Sequence, residues 1–333
     1  MQQTQANKLK TKVKISHKHT NYPMYIPIVV NCTTNRKKLE SQLTVKQAVE
    51  EYIISKEGVL SPATIRGYVI IKNNALSEIE NFQITNISEK QLQLWVSNNS
   101  KKYAPKSVKN QFSLVTAALK QNKIDLDFSS VLLPKSQVNE PIIPNEKQTA
   151  LILHIIEGTN IEIPVTMAVT LGLRQSEIAG LRWSDYDGKT ISIHGAKVPN
   201  KQNKYVYKKT TKSSASTRVL EVDALLKSRL DRADQSSEFI SPMLPSSVLR
   251  KFNKLCKQHN LPKFTMHAQR HGNASMMLAK NIPDKYAMKR LGQSSNSMLK
   301  KIYQHLYDSK EKQVSLTVSN TFQSIYQDQC KIE

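Results

Sequence analysis

The sequence is poor in cysteine, in long apolar runs and, near its N-terminus, in acidic residues. Its 333 residues include three cysteines, Cys32, Cys256 and Cys330, whose wide separation favours neither a disulfide framework nor a zinc site. No stretch approaches the roughly 18 consecutive apolar residues that a membrane span needs, and the N-terminus lacks the apolar core of a secretory signal. These absences predict a soluble, cytoplasmic protein.

Basic residues dominate the charge of the chain. Lysine and arginine number 49 against 26 acidic residues, which gives a formal net charge of +23. A polyanion is therefore the first partner to consider, and DNA, RNA and an anionic membrane surface all fit this balance. The length of the chain predicts two or three domains, since domains commonly hold about 100 to 200 residues.

Residues 1–42 form a basic segment that has no Asp or Glu before Glu40. Four of its lysines alternate with other residues, so in a strand they would share one face: Lys8, Lys10, Lys12 and Lys14. An arm that touches phosphates and a solvated basic tail both fit this pattern. A mitochondrial presequence is a third interpretation, but such sequences favour arginine, and no arginine precedes Arg36.

Residues 43–126 have the periodicity of a helical domain. Thr44 and Gln47 predict a capping box ahead of the first of four amphipathic helices. The fourth helix leaves Lys106 and Lys109 available to face outward. We expect Trp95 to anchor the core, because large aromatic residues of amphipathic helices usually face inward.

A stretch with several prolines, residues 127–145, marks a linker to a second domain. In that domain, residues 146–310, helical segments alternate with strand-like segments at 190–194 and 218–222. A short sheet is therefore expected among the helices, and the fold class is mainly α with a small β-sheet. Residues 311–333 form a C-terminal tail.

Short polar motifs of the second domain carry groups suited to phosphodiester chemistry. Arg174 and Arg270 supply fork-shaped donors that match phosphate oxygens and stay charged at any working pH. A lysine or His267 can transfer a proton, and Tyr303 can act as a covalent nucleophile. Such a set can break and rejoin a DNA strand without a metal or nucleotide, because a phosphotyrosine link keeps the bond energy.

The segment from Gly172 to Asp185 resembles the first-arginine motif of the tyrosine recombinase family, also called phage-type integrases. The resemblance places the catalytic arginine at Arg174 and implies that Glu177, one helical turn later, supports it. His267 and Arg270 resemble the family's His-x-x-Arg box. His271, beside that box, is expected to pack or cap locally rather than to contact the site.

The last two motifs are Leu291-Gly292-Gln293 and the tyrosine that follows it. The family usually has histidine at the position of Gln293; glutamine can donate a hydrogen bond to a phosphate but cannot transfer a proton near neutral pH. Tyr303 resembles the family nucleophile by its distance from this box and by the following His305, with Tyr307 as the rival.

The family's lysine, aligned backwards from Arg218, falls at Lys212, with Lys209 as the competitor. The neighbouring basic run would by itself indicate a solvated loop, but in a DNA clamp it could track phosphates. Its members are Lys201, Lys204, Lys208 and Lys209.

The resemblance implies a helical core-binding domain of the SAM-like type and a catalytic domain, which close around double-stranded DNA attachment sites as a C-shaped clamp. It implies no cofactor, a homotetramer on synapsed DNA, accessory DNA-bending or directionality proteins in some systems, and a C-terminal tail that docks on a neighbouring subunit or folds back on its own. No membrane partner is implied.

The function predicted in this way is site-specific recombination by an integrase of a bacterial or phage mobile element, acting at the nucleoid through a 3′-phosphotyrosine intermediate. Two alternatives remain. A type IB topoisomerase shares the chemistry without pairing two sites, and a catalytically impaired DNA-binding or architectural protein is suggested only by Gln293.

Overall fold

The computed structural model of the protein describes residues 43–135, 142–209, 217–296, 299, 315–316 and 318–323. The basic N-terminal segment lies outside these ranges, and so do Lys212, Tyr303 and Tyr307. Within the described ranges, no helix is both long and apolar enough to cross a membrane.

Four helices form the first unit of the described chain: α1 (Val45–Lys56), α2 (Pro62–Asn74), α3 (Glu89–Lys102) and α4 (Pro105–Gln121). The predicted capping box before α1 is confirmed. Thr44 Oγ1 accepts a hydrogen bond from Gln47 N at 3.3 Å, and Gln47 Oε1 accepts one from Thr44 N at 2.9 Å. Ser61 caps α2, whose first turn contains Pro62, a residue pre-set for that position.

Trp95 lies in the core of this unit, as predicted, with 1% of its surface exposed. Its Nε1 donates to the backbone oxygen of Ala75 at 2.7 Å, and Asn99 Nδ2 donates to the same oxygen at 3.1 Å. Packing on this core continues beyond α4, because Val131 is part of the buried core and Leu133 packs against that core. The first core thus extends into the segment that the sequence indicates as a linker.

Seven helices belong to the described part of the second unit: α5 (Glu146–Ile155), α6 (Glu162–Thr170), α7 (Gln175–Gly180), α8 (Ala224–Asp231), α9 (Pro245–Gln258), α10 (Met266–Ala279) and α11 (Asp284–Leu291). Helix α6 is apolar on most sides and lies in the centre, where Val165, Met167 and Ala168 have no exposed surface. Its C-terminal end, beside α10, is where the candidate site forms.

Among the described residues, two antiparallel sheets of two strands lie between α7 and α8, where one small sheet was expected. Strand β1 (Thr190–Ile193) pairs with β4 (Arg218–Glu221), and β2 (Gly195–Pro199) pairs with β3 (Tyr205–Lys209). The difference arises because residues 200–204 join β2 and β3 as a separate hairpin, while β4 returns to β1. Alternation identifies strands, but it does not identify their partners.

The tip of the β2–β3 hairpin contacts the first unit. Arg66 Nε donates to Asn203 Oδ1 at 2.6 Å, and Lys201 Nζ forms an ion pair with Glu57 Oε1 at 2.7 Å. The two units therefore touch at a second place besides the segment that links them in sequence.

Candidate active site

The first-arginine motif spans the turn between α6 and α7. Gly172 has a φ of +63°, in the left-handed region that glycine tolerates, so the chain can turn sharply there. Arg174 precedes α7 and is held by Glu177: its backbone N–H donates to Glu177 Oε2 at 2.9 Å and its Nη1 to Oε1 at 2.6 Å. The Arg174 side chain remains 37% exposed, so part of it is accessible to a ligand.

Glu177 is buried between two arginines. Its side chain is 4% exposed and also accepts a hydrogen bond from Arg218 Nη2 at 3.0 Å. Burial by itself raises the pKa of Glu177, but the hydrogen bonds and charge of Arg218, followed by the charge of Arg174, outweigh it, so the pKa lies below its ordinary value. Glu177 is therefore ionised at neutral pH and holds both guanidinium groups.

Arg270 has no exposed surface on α10. Its Nη1 donates to the backbone oxygen of Gly172 at 2.7 Å and its Nη2 to that of Leu291 at 2.6 Å. Burial, and next the charge of Arg174, lower the pKa of Arg270 to about 9, so it stays protonated at neutral pH. Within the described part of the chain, its Nε is buried without a hydrogen-bond partner.

Three arginines converge on the end of α11. The pairs are Arg218 Nε with the oxygen of Arg290 at 2.8 Å, Arg270 Nη2 with that of Leu291 at 2.6 Å, and Arg174 Nη2 with that of Gly292 at 2.9 Å. We call these three consecutive backbone oxygens the carbonyl anchor. The last carbonyls of a helix lack intrahelical partners and lie at the negative end of its dipole, so they suit cations.

Close packing holds α11 against the turn of the first-arginine motif. A Cβ atom on Gly172 would lie 2.7 Å from Leu291 Cδ2 and 2.9 Å from Asn273 Oδ1. Asn273 Nδ2 donates to the backbone oxygen of Thr170 at 3.0 Å, and Arg290 Nη2 donates to the same oxygen at 3.1 Å. The ends of α6 and α11 and the middle of α10 therefore form one packed assembly.

His267 lies one helical turn before Arg270, on the exposed side of α10. Although the residue is exposed, neighbouring protein atoms partly desolvate the ring, and this, followed by the charges of Arg270 and Arg174, lowers the pKa of His267, so at neutral pH it is a neutral base that can accept a proton. His271 packs edge-on against it, with ring centroids 4.6 Å apart. Burial, followed by His267 and Arg270, lowers the pKa of His271 to about 4.

Gln293 directly follows the left-handed Gly292, and its backbone N–H donates to the oxygen of Met288 at 3.0 Å. Gln293 is among the residues that line a cleft of about 670 Å³ between β4 and α11. The structure thus brings together Arg174, Glu177, His267, Arg270 and Gln293, while Lys212 and Tyr303 lie outside the described residues.

The surface lysines predicted to meet DNA occupy two places. Lys106 and Lys109 lie near the start of α4, and the others lie on the β2–β3 hairpin. Of the hairpin lysines, Lys201, Lys204 and Lys209 are exposed and Lys208 is half-buried. Lys201 is paired with Glu57 in this structure, so DNA would have to compete for it.

The structural role of Arg218 was not predicted from the sequence, in which this residue was only the position from which Lys212 was aligned. A signal was present: Arg218 and Leu220 lie two residues apart on β4 and share its buried face. An arginine on a buried strand face needs a carboxylate partner, which Glu177 supplies. The pairing of Asn273 with backbone oxygens of α6 has no comparable signal in the sequence.

The arrangement suits an anion. Arg174 and Arg218 share the carboxylate of Glu177, and Arg270 binds backbone oxygens beside them, so three cations lie near one carboxylate at a site where Arg174 is partly exposed. The planar forks of arginine match the oxygens of a phosphate. Among the described residues, no group of three or more His, Cys, Asp or Glu side chains lies close enough to hold a metal ion.

Comparison with known proteins shows the family of this chain. Residues 145–310 match the phage integrase family. The integrase of Staphylococcus phage L54a is 24% identical over 294 residues, which cover 73% of this chain and 82% of that protein.

Solved structures share the fold. The integrase of transposon Tn1549, in complex with transposon right end DNA, has a TM-score of 0.66 at 18% identity and covers 81% of this chain and 99% of that one. A lambda integrase tetramer bound to a Holliday junction has a TM-score of 0.61 at 17% identity, with 81% of each chain covered. The expected fold class, mainly α with a small β-sheet, is confirmed, although the described strands form two separate antiparallel pairs. The chain belongs to the phage integrase family, the tyrosine recombinases, and it is a site-specific recombinase.

Proposed function

We propose that this recombinase cuts and rejoins double-stranded DNA at the attachment sites of a mobile element through a covalent bond to Tyr303. The observation that carries the proposal is the convergence of Arg174 and Arg270 on the carbonyl anchor. Their guanidinium groups are held beside each other by the neighbouring backbone oxygens of Gly292 and Leu291. The buried Arg270 Nε, unpaired within the described chain, is a donor that a bound anion would satisfy.

The proposed roles follow from the chemistry of each group. Arg174 and Arg270 bind the non-bridging oxygens of the scissile phosphate and stabilise the charge that develops there. Tyr303 Oη attacks phosphorus, which forms a 3′-phosphotyrosine bond and breaks the bond to the 5′ oxygen. Lys212 gives that oxygen a proton, and His267 accepts the proton of Tyr303. Glu177 holds Arg174 in place.

Gln293 donates a hydrogen bond to the phosphate in this scheme, in place of the histidine that is usual in the family. Its position directly after the carbonyl anchor keeps it beside Arg174. Because glutamine cannot transfer a proton, we assign the proton of the leaving oxygen to a lysine, Lys212. Lys209, at the exposed end of β3, is the alternative donor.

Arg270 has no exposed surface, so its contact with a phosphate of the DNA requires a rearrangement of the residues around it.

We propose that the two units close on DNA as a clamp. Basic side chains of α4 and the β2–β3 hairpin contact the phosphates: Lys106, Lys109, Lys201, Lys204, Lys208 and Lys209. The net charge of +23 supports binding that weakens steeply with salt.

The assembly proposed for strand exchange is a homotetramer on two synapsed sites, like the lambda integrase tetramer bound to a Holliday junction. In this proposal residues 311–333 dock on a neighbouring subunit and residues 1–42 contact DNA arms outside the core site. Accessory DNA-bending or directionality proteins assist, and the reaction takes place at the nucleoid in the cytoplasm. In this proposal residues 43–126 form the core-binding domain, 127–145 the linker, whose first part packs on that domain's core, and 146–310 the catalytic domain.

Covalent trapping tests the function. Nicked duplexes tiled across the DNA that flanks the element are incubated with the full chain and resolved on a denaturing gel. We expect a protein–DNA adduct with the wild type and with Tyr307→Phe, the matched control, and none with Tyr303→Phe. An adduct that persists in Tyr303→Phe would refute the assignment of the nucleophile.

The variant Gln293→His separates the recombinase from an impaired DNA-binding protein. If the wild-type chain forms the adduct, the glutamine site is active and the histidine variant changes only the rate. DNA binding without an adduct in the wild type, together with an adduct in Gln293→His, would show that the natural site is disabled and would overturn the proposed activity.

A further inference from the structure

Arg218 is the most deeply buried partner of Glu177. Its side chain is 4% exposed on β4, and its two Nη atoms lie 3.3 and 3.0 Å from the two oxygens of Glu177. Its Nε donates to the first oxygen of the carbonyl anchor, that of Arg290, at 2.8 Å. One side chain therefore joins β4, α7 and the end of α11.

The charges explain why a second arginine is needed. Without Arg218, Arg174 would be the one remaining cation, among the residues that the structure describes, to pair with the buried carboxylate of Glu177. A buried carboxylate with a single cationic partner draws that cation inward, because an incompletely compensated buried charge is costly. The charge of Arg174 would then be offset by Glu177, and its side chain would be drawn away from a bound phosphate.

We infer that Arg218 is a positioning residue for the proposed strand cleavage: it offsets the charge of Glu177 and so leaves the partly exposed Arg174 free to bind the scissile phosphate. The inference rests on the proposed function. It also gives β4 a role, since the segment that contains Lys212 leads into this strand, and Arg218 fixes the strand to the carbonyl anchor.

The chain offers a matched control for a buried arginine. Arg229 on α8 has a 3% exposed side chain, forms an ion pair with Glu162 at 2.9 Å and donates to the backbone oxygen of Leu153 at 2.8 Å. It repeats the burial and the bonding of Arg218 without contacting any residue of the candidate site. Loss of stability alone should therefore affect the Arg218 and Arg229 variants equally.

The test uses the full chain and the nicked duplex of the trapping experiment. Wild type, Arg218→Met, Arg218→Lys, Arg229→Met and the double variant Arg218→Met/Glu177→Gln are compared by thermal unfolding, by DNA affinity and by the single-turnover rate of adduct formation. DNA affinity distinguishes loss of binding from loss of cleavage.

We expect Arg218→Met to form the adduct about 10- to 100-fold more slowly than the wild type, because its effect on the charged transition state is indirect. Arg229→Met should cleave at the wild-type rate although it unfolds at a lower temperature. The double variant should recover about tenfold over Arg218→Met, since removal of the carboxylate charge releases Arg174. Arg218→Lys, which keeps a cation, should lie between wild type and Arg218→Met.

Several outcomes would overturn the inference. They are a wild-type rate in Arg218→Met, an equal loss of rate in Arg229→Met, and a double variant no faster than Arg218→Met. If Arg218→Met does not fold, the double variant and Arg218→Lys decide: we then expect Arg218→Lys to cleave more slowly than the wild type and the folded double variant to form the adduct. Cleavage by Arg218→Lys at the wild-type rate, or no adduct with the folded double variant, would overturn the inference. DNA binding by the wild type without an adduct would instead overturn the proposed function, and the inference with it.

Discussion

Replacing Gly172 by alanine should destabilise the second unit more than the same change at a glycine of similar conformation. Gly172 has a φ of +63°, and an added Cβ would lie 2.7 Å from Leu291 Cδ2 and 2.9 Å from Asn273 Oδ1. Gly158 has a φ of +70°, and an added Cβ there meets no atom of the described residues within 4 Å. The pair thus separates the conformational cost from the packing cost.

The conformational cost of a left-handed alanine is about 1–2 kcal/mol at either position. Overpacking at Gly172 adds about 1–3 kcal/mol, because the side chains of Leu291 and Asn273 must move or the end of α11 must shift. We therefore expect Gly172→Ala to lower the free energy of unfolding by about 2–5 kcal/mol and Gly158→Ala by about 1–2 kcal/mol.

Urea-induced unfolding of the full chain, followed by tryptophan fluorescence, measures both free energies. The adduct-forming rate should also fall in Gly172→Ala, because Leu291 provides one oxygen of the carbonyl anchor to Arg270. Equal losses of stability in the two variants would refute the close packing between Gly172 and α11.

Three further changes test other parts of the fold. Trp95→Phe should lower the free energy of unfolding by about 1–3 kcal/mol in urea titrations, because it removes the buried hydrogen bond to Ala75 and leaves a small cavity. The pKa of His271 is about 4 in the folded protein against an ordinary 6.5. As pH drops, the unfolded chain therefore takes up a proton at this histidine before the folded chain does, and the free energy of unfolding falls between pH 6.5 and 4. In His271→Leu this fall, measured by urea titration at each pH, should be smaller by up to about 3 kcal/mol. Glu57→Gln should change the free energy of unfolding by less than about 1 kcal/mol, because its ion pair with Lys201 is exposed, and a larger loss in 1 M salt would contradict this.

Local signals in the sequence predicted much of the first unit and the helices around the site. The capping residue Thr44 and the inward position of Trp95 were predictable because each depends on neighbours close in sequence. The first-arginine motif was found in the same way, since Glu177 lies one turn after Arg174.

Contacts between distant segments could not be predicted. The pairing of β4 with β1, rather than with the hairpin, depends on tertiary packing. The complete burial of Arg270 and the bond from Arg174 to Gly292 join segments roughly a hundred residues apart, and the receiving groups are backbone oxygens. Every residue has such an oxygen, so no residue type in the sequence indicates it.

The carbonyl anchor has a consequence for how the sequence can vary. Its acceptors belong to the main chain, so replacing the side chain of Gln293 removes none of the bonds that hold Arg174 and Arg270. Proline at that position is the exception, because it has no N–H to donate to the oxygen of Met288 and so would disturb the end of α11, which carries the carbonyl anchor. The bonds that hold the two arginines on the carbonyl anchor therefore do not depend on the side chain of residue 293. A chain built in this way can exchange histidine for glutamine, and so change how protons move, without rebuilding the pair of arginines.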